Sequence, residues 1–217
     1  MDRNNIIKVI REEFESGKIR DELFPMMTTF GVRDYSETVH SLGLNYITAI
    51  GRTIDEIAAV SECPVYPYES IYHESDMIAE SSSSYYEEKK TKDAEIRPDS
   101  IWYSKKDNSP ILISEFERYE KSMTKNKKLK EKIQNLLIAY HQLGGKVPVI
   151  LFVYWSYASV TPGDMSDVIS ILDKGFTLPN KNFISGIDSR RTSYLIYHCI
   201  ASGNKENLTL NQWIKIR

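Results

Sequence analysis

Residues 111–119 read ILISEFERY and follow a shorter apolar run, IRPDSIWY, at residues 96–103. Residues two apart in the longer run share one face of a β-strand. The face that carries both acids consists of Ile111, Ile113, Glu115, Glu117 and Tyr119. The opposite face consists of Leu112, Ser114 and Phe116. A strand this apolar is predicted to lie inside a sheet, where an ionised side chain is costly unless it is paired or binds a metal, so the two acids require a cation.

A polar segment joins the two apolar runs. Residues 104–110, SKKDNSP, are dense in turn-forming residues, which predicts an antiparallel hairpin. The pairing can bring Asp99, in the first strand, beside Glu115 and Glu117 in the second. The sequence therefore predicts three carboxylates in one pocket.

These residues resemble a known signature. Pro98-Asp99, a gap of 15 residues, and then Glu115-Phe116-Glu117 at the end of an apolar strand are similar to the motif of the PD-(D/E)xK nuclease superfamily. The order of elements over residues 95–155 is similar as well: a strand with Asp, a strand with the second acid, a helix and a buried strand. Glu117 stands where the family usually has Lys, as in a minority of its restriction enzymes. The resemblance implies an α/β, restriction-endonuclease-like fold, with a mixed central sheet flanked by helices.

The resemblance also implies hydrolysis of phosphodiester bonds with Mg²⁺, for which Mn²⁺ is a candidate substitute. The implied metal ligands are Asp99, Glu115 and the backbone carbonyl of Phe116, and Mg²⁺ does prefer hard oxygen ligands of this kind. Glu117 cannot supply the positive charge of the usual Lys. It is instead predicted to accept the proton of the attacking water or to help hold a second metal ion. The implied enzyme is a DNA endonuclease of restriction or defence type.

Other interpretations stay open at this point. An Asp after Pro is ordinary at turns, and a Glu-x-Glu pair is ordinary at a solvated sheet edge. The missing Lys is also consistent with a nuclease-fold module that has lost catalysis and binds nucleic acid or a protein partner. A glycoside hydrolase is a third class, but its two carboxylates would face each other about 5 to 9.5 Å apart across an open cleft.

A helix with clear periodicity is predicted after the paired acids. Its apolar residues are Leu129, Ile133, Leu136, Leu137, Tyr140 and Leu143, and Gly144-Gly145 ends it. Its amino-terminal half is rich in lysine, which opposes the helix macrodipole. A phosphate backbone would offset this conflict, and a solvated lysine face is the alternative. The predicted nucleic-acid-binding residues are Lys121, Lys125, Lys127, Lys128 and Lys130, and Lys132 continues the run.

The resemblance adds two further candidates for the site. Some relatives of recombination-nuclease type carry a helical Gln that reaches the site, and Gln134 is the candidate, although the accompanying Tyr is not at their usual spacing. In some relatives an acid from before the first core strand joins the site. Glu62 is a candidate for that acid together with Glu56 and Glu69, and the spacing does not choose among them.

The remaining sequence predicts one compact domain, with a helical layer at residues 1–65 and a nuclease-like α/β core at residues 66–217. Helices are predicted at 6–17, 21–28, 34–50 and 54–60, the last with a capping box formed by Thr53 and Glu56. Residues 81–84 are predicted to begin a loop that orders on substrate. A central strand is predicted at 147–154, a helix at 165–172, and a pair of strands at 192–200 and 208–216.

Composition excludes several classes of protein. A net charge of −2 and a pI near 6.1 exclude a globally basic nucleic-acid binder, so affinity for phosphate must come from a local patch. The two cysteines lack a CxxC spacing, and the four histidines lack a metal-ligand spacing. With no long apolar span and no signal-peptide core, the sequence predicts a cytoplasmic protein with no membrane partner and no organic cofactor. Restriction enzymes often use two subunits for two DNA strands, so a homodimer is left open.

Overall fold

The chain folds around one mixed sheet whose strands come from both halves of the sequence. The computed structural model describes residues 2–35, 37–66, 96–120 and 122–217, and only the backbone of residues 123–126. The predicted site residues Glu69 and Lys121, the side chain of Lys125 and the predicted loop at 81–84 therefore lie outside the described residues.

Six helices and eight strands are described. The helices are α1 (Arg3–Ser16), α2 (Lys18–Leu23), α3 (Pro25–Thr28), α4 (Thr38–Arg52), α5 (Met123–Gln142) and α6 (Ser166–Lys174). The strands are β1 (Ile57–Ser61), β2 (Ser100–Ser104), β3 (Pro110–Arg118), β4 (Val149–Tyr157), β5 (Phe176–Thr177), β6 (Phe183–Ile184), β7 (Ser193–Gly203) and β8 (Leu208–Lys215). Within the described residues, no helix is both long enough and apolar enough to cross a membrane.

The main sheet has the strand order β1-β2-β3-β4-β7-β8. Strand β2 pairs antiparallel with both β1 and β3, whereas β4 pairs parallel with β3 and β7. Strand β8 closes the sheet antiparallel to β7. This arrangement confirms the predicted α/β class with a mixed sheet, the β2–β3 hairpin, the buried central strand β4 and the pair formed by β7 and β8.

Helices cover both faces of the sheet. On β4, Val149, Leu151, Val153 and Trp155 pack in a cluster with residues of α1, α3 and α4. The intervening Ile150, Phe152 and Tyr154 pack in a second cluster with residues of α5 and α6. Strand β3 alternates in the same way at Leu112, Ile113 and Phe116. Helices α1, α3 and α4 therefore cover one face of the sheet, whereas β1, which also lies within residues 1–65, belongs to the sheet itself.

One glycine lets α4 lie directly on the strand that carries the acids. A Cβ atom placed on Gly43 would come within 2.3 Å of the Phe116 ring, which no real contact allows. Phe116 itself is fully buried. Helix α4 can therefore approach β3 at the residue between Glu115 and Glu117 only because Gly43 has no side chain.

Three predictions of local structure are wrong. The helix predicted at 54–60 is instead strand β1, in which Ile57 and Ala59 alternate with the exposed Ala58. The helix predicted at 21–28 is two short helices, because the backbone leaves helical geometry at Phe24, just before Pro25. Ile111 packs with the first cluster rather than beside Ile113, since the β2–β3 register shifts between Trp102 and Tyr103.

Candidate functional site

Asp99, the residue just before β2, takes the place of a neighbouring strand at the edge of β3. The β2–β3 ladder begins with Ser100 opposite Ser114, so β2 offers β3 no partner beyond that point. There the Phe116 amide donates a hydrogen bond of 2.7 Å to Asp99 Oδ2. Asp99 and Glu115 are almost fully buried, with exposed fractions of 3% and 1%. The structure therefore brings together the first two of the predicted acids.

A lysine from α5 supplies the cation that these buried acids need. Lys132 Nζ lies 2.7 Å from Glu115 Oε2 and 3.5 Å from Asp99 Oδ1. Lys132 follows Leu129 by three residues and precedes Leu136 by four, and both leucines are fully buried. Its side chain therefore belongs to the stripe of α5 that faces the sheet.

A histidine from α4 reaches the same carboxylate from the other helical layer. His40 Nε2 lies 3.4 Å from Asp99 Oδ1. On α4, His40 shares a helical stripe with the buried residues Gly43, Leu44 and Ile47. The acids therefore lie where the amino-terminal layer and α5 both contact the sheet.

Burial and mutual charge set the protonation of this cluster. Burial and the charge of Asp99 raise the pKa of Glu115 well above its usual range, against the opposing effect of Lys132. Burial also raises the pKa of Asp99, but contact with His40, the charge of Lys132 and the Phe116 amide outweigh burial, so the net shift is downward. Asp99 is therefore the acid that keeps its charge, and Glu115 is the acid that ionises last.

The pKa values of Lys132 and His40 are both raised, whereas burial alone would lower the pKa of a basic group. Burial lowers the pKa of Lys132, but the charges of Glu115 and Asp99 outweigh burial, so that the net shift is upward. Burial likewise lowers the pKa of His40, and its interaction with Asp99 again reverses the sign. Both side chains are thus favoured in their positively charged forms.

Glu117 lies at a small cleft beside this cluster. The cleft measures about 200 Å³ and is lined by Glu37, His40, Glu117, Arg118, Lys128, Lys132 and Trp155. We call it the Glu117 cleft. It opens near the carboxyl ends of β3 and β4, where ligands of α/β sheets usually bind. The third predicted acid therefore shares an open cleft with the lysine that contacts the two buried acids.

Arg118 forms a fixed wall of the Glu117 cleft. Its Nη1 and Nη2 each lie 3.1 Å from one oxygen of the buried Asp34 carboxylate, and its Nε lies 2.9 Å from Glu120. Its guanidinium group also stacks over the Trp155 ring at 4.8 Å. The Tyr157 hydroxyl donates a hydrogen bond to Asp34. With its charge already paired, Arg118 shapes the cleft.

The predicted nucleic-acid-binding lysines that are described lie on the outer surface of α5. Lys127 is 75% exposed and pairs only loosely with Glu131, at 3.8 Å. Lys130 is exposed, and Lys128 is exposed at the rim of the Glu117 cleft. Lys128 therefore lies next to the acids, whereas Lys127 and Lys130 lie on the side of α5 that faces solvent.

The two additional candidates do not join the acids. Glu62 is exposed, and it is its backbone amide that donates a hydrogen bond of 3.1 Å to the Asp99 carbonyl. Gln134 is half-buried on α5 but does not line the Glu117 cleft. Within the described residues, no hydrogen bond links either side chain to Asp99 or Glu115.

Sequence reasoning missed His40 and the role of Lys132. The spacing of the histidines bears only on a local metal-ligand motif, and in the sequence Lys132 is one of a run of basic residues. A usable signal was present for both, because each is a polar residue on a helical stripe that is otherwise buried. The bidentate pair of Arg118 with Asp34 joins residues far apart in sequence, and no local pattern predicts it.

The donors present fit Mg²⁺. Among the described residues, no three His, Cys, Asp or Glu side chains lie together in a way that could hold a metal ion. Mg²⁺ needs fewer, because one or two carboxylates with waters and substrate phosphate commonly suffice. A strand also directs the amide and carbonyl of one residue toward the same edge, so the Phe116 carbonyl lies on the side of Asp99. A divalent cation there would favour the ionised form of Glu115, which burial opposes.

Comparison of the chain with protein-family models, with curated proteins and with solved structures found no match.

Proposed function

We propose that this chain is a Mg²⁺-dependent nuclease of PD-(D/E)xK type, with a restriction-endonuclease-like fold, that hydrolyses phosphodiester bonds in DNA. The observation that carries the proposal is the contact of one ammonium group, that of Lys132, with two buried carboxylates, one on β3 and one on the residue just before β2. A solvated sheet edge would have left Asp99 and Glu115 exposed and separate.

Lys132 favours an active enzyme over a module that has lost catalysis. The usual motif Lys lies two residues after the second acid, where this chain has Glu117. An ammonium group is nevertheless present at that acid, because α5 delivers Lys132 to within 2.7 Å of Glu115. The positive charge is thus retained, although it comes from a different element.

Each residue of the cluster has a part in the proposed reaction. Asp99, Glu115 and the Phe116 carbonyl would hold Mg²⁺, which when bound polarises a phosphoryl oxygen and lowers the pKa of its water. Lys132 stabilises the negative charge that develops on the phosphate in the transition state. Glu117, in the open cleft, accepts the proton of the attacking water. His40 holds the Asp99 carboxylate from the opposite layer.

The outer lysines of α5 support an anionic substrate. The chain has a net charge of −2, so the molecule as a whole does not attract DNA. Lys128 nevertheless places a positive charge at the rim of the Glu117 cleft, and Lys127 and Lys130 add two more on the solvent-facing side of the same helix. We propose that they contact the phosphate backbone, and that the setting is restriction or defence against foreign DNA, as the resemblance implies.

Cleavage assays on the full chain test this proposal. Plasmid, linear duplex and single-stranded DNA are incubated with Mg²⁺ or Mn²⁺, and then with chelator. We expect metal-dependent cleavage that Asp99→Asn and Glu115→Gln each reduce by more than about 100-fold. Asp99→Asn keeps an oxygen that can accept the Phe116 amide, and circular dichroism checks that both variants fold.

Glu12→Gln is the matched control, since Glu12 is an exposed acid on α1, outside the cluster. Cleavage that survives both chelator and Glu115→Gln would refute the proposal. Retention of DNA by the wild-type chain without any cutting would instead favour the binding module.

A further inference from the structure

A second cleft lies on the same face of the sheet as the acids. It measures about 660 Å³, and Tyr154, Met165, Ile169, Ser170, His198 and Ile216 are among the residues that line it. We call it the Tyr154 cleft. In the sheet register Glu117 lies opposite Tyr154, and Tyr154 lies opposite His198. Since neighbouring strands are roughly 4.8 Å apart, the floor of this cleft begins one strand away from Glu117.

The Tyr154 cleft is held at a fixed position relative to the acids. The hydroxyl of Tyr119, the residue that directly follows β3, accepts a hydrogen bond of 2.9 Å from the Gly163 amide. Gly163 lies in the segment between β4 and α6 and lines the cleft. The wall of the Tyr154 cleft is therefore tied to the strand that carries the acids.

The floor and sides of the Tyr154 cleft suit a flat apolar ring. The rings of Tyr154 and His198 stack 4.8 Å apart and only 12° from parallel. Met165, just before α6, and Ile169 of α6 form an apolar side, and Ile216, which is 46% exposed, forms the outer wall. The volume falls within the range of ordinary small-molecule sites, about 300 to 1,000 Å³.

The charges at the rim exclude a phosphate and favour hydrogen-bond donors. Asp164 and Asp173 line the rim, and Arg217, the one lysine or arginine among the described lining residues, is paired with Asp173 at 3.0 Å. Such a rim carries a net negative charge. His198 is buried, and its Nε2 lies 2.8 Å from the Ser156 hydroxyl. A neutral ring bearing an amino group complements these carboxylates, because each can accept more hydrogen bonds than it does now.

We propose that the Tyr154 cleft binds one nucleobase, unstacked from its neighbours, of the strand whose phosphate lies at the acids, with a preference for bases that carry an exocyclic amino group. The position of the strand rests on the proposed nuclease function. The base would insert beside the stacked rings, as flipped or single-stranded bases do in aromatic pockets. Adenine, cytosine and guanine carry the amino group, and thymine does not.

Binding of homopolymers to the full wild-type chain tests this proposal without any cleavage. Fluorescence anisotropy is measured in chelator and at one fixed salt concentration, with dodecamers of deoxyadenylate, deoxycytidylate, thymidylate and an abasic sugar-phosphate. We expect the first two to bind about fivefold more tightly than thymidylate, and at least roughly tenfold more tightly than the abasic strand, given the usual strength of base stacking.

Two variants assign the preference to this cleft. Ser170→Trp fills the cleft from α6 and should reduce the preference for deoxyadenylate over thymidylate to less than about twofold. Ile216→Ser removes the exposed outer wall, with little risk to folding, and should reduce the same preference by roughly half. Lys174→Trp, at an exposed position of α6 that does not line the cleft, is the matched control and should keep the preference.

Each outcome decides between the two proposals. Equal binding of all four strands would overturn the inference, as would a folded Ser170→Trp variant that keeps the wild-type preference. Because no metal is present, a preference that depends on the Tyr154 cleft would stand even if no DNA were ever cut. Metal-dependent cleavage by a chain without base preference would keep the nuclease proposal and remove only the base site.

Discussion

The two sides of α5 carry the same residue type in opposite environments. On the outer side, Lys127 and Lys130 lie in solvent, and Lys127 has only a loose partner. On the inner side, the Lys132 side chain is 25% exposed and contacts two buried carboxylates. Lys132 follows Lys130 by only two positions in the sequence. The position of a lysine relative to the apolar stripe of α5, and not the residue type, therefore determines whether it contacts the buried acids.

The largest expected difference between the two sides is in activity. Lys132→Met should reduce cleavage by about 100- to 1,000-fold, because it removes the positive charge nearest the reacting phosphate. It should also lower the free energy of unfolding by roughly 3 kcal/mol, since it leaves buried acids without their cation. Lys130→Met is the matched control. Cleavage rates and urea unfolding measure both effects. Equal results for Lys132→Met and Lys130→Met would contradict the proposed difference between the two sides of α5.

Mg²⁺ bound at Asp99 and Glu115 should also stabilise the folded protein. Because burial raises the pKa of Glu115, the folded protein without metal loses stability as the pH rises from the ordinary carboxyl range through the folded pKa. Mg²⁺ at about 100 times its dissociation constant should stabilise the fold by roughly 2.7 kcal/mol at pH 8.

Glu115→Gln provides the control for that prediction. The variant should show little stabilisation by Mg²⁺ and a flatter pH dependence, because it has no charge to bury. Thermal unfolding with and without Mg²⁺ measures both effects. An equal shift of the melting temperature in wild type and Glu115→Gln would place the metal elsewhere.

The interaction of His40, from α4, with Asp99 should have a smaller effect, and stability should again fall as the pH rises. Because the folded pKa of His40 is raised above its unfolded value, its contribution to stability is fully present below the unfolded pKa and is lost as the pH rises through the folded pKa. His40→Gln should therefore cost up to about 1 kcal/mol at pH 5.5, the usual upper strength of a partly exposed ion pair, and less at pH 8. Denaturant unfolding at the two pH values measures this, and a larger cost at pH 8 would contradict it.

The outer lysines should show the smallest effect per residue, and one of a different kind. Lys127→Gln and Lys130→Gln should each weaken DNA binding similarly for all sequences and reduce the slope of log affinity against log salt by roughly 0.9. Neither should change the free energy of unfolding by more than about 0.5 kcal/mol. Binding titrations at several salt concentrations measure the slope. An unchanged slope would mean that this surface is only a solvated face.

Local pattern was sufficient to place Asp99 beside Glu115, but it did not predict that Glu117 lies apart from them in the neighbouring cleft, and it did not predict the partners of the two buried acids. Alternation along β3 and the turn before it predicted that Asp99 lies beside Glu115, because a hairpin is a local structure. His40 and Lys132 reach the acids only through the packing of α4 and α5 on opposite faces, and no spacing in the sequence encodes that packing. The error at β1 has a similar cause. Thr53 and Glu56 match a capping box, but pairing with β2 along residues 57–61 decides the structure there.

Asp99 also has a structural role, and this role affects what its presence in another sequence would mean. Its Oδ2 takes the hydrogen bond that a neighbouring strand would otherwise accept from the Phe116 amide. A related chain without the proposed nuclease activity would still need a hydrogen-bond acceptor at this position to complete the edge of β3. This aspartate in another sequence would therefore indicate the same local structure, whereas, under the nuclease function proposed above, a lysine on the sheet-facing stripe of the following helix would be better evidence of activity.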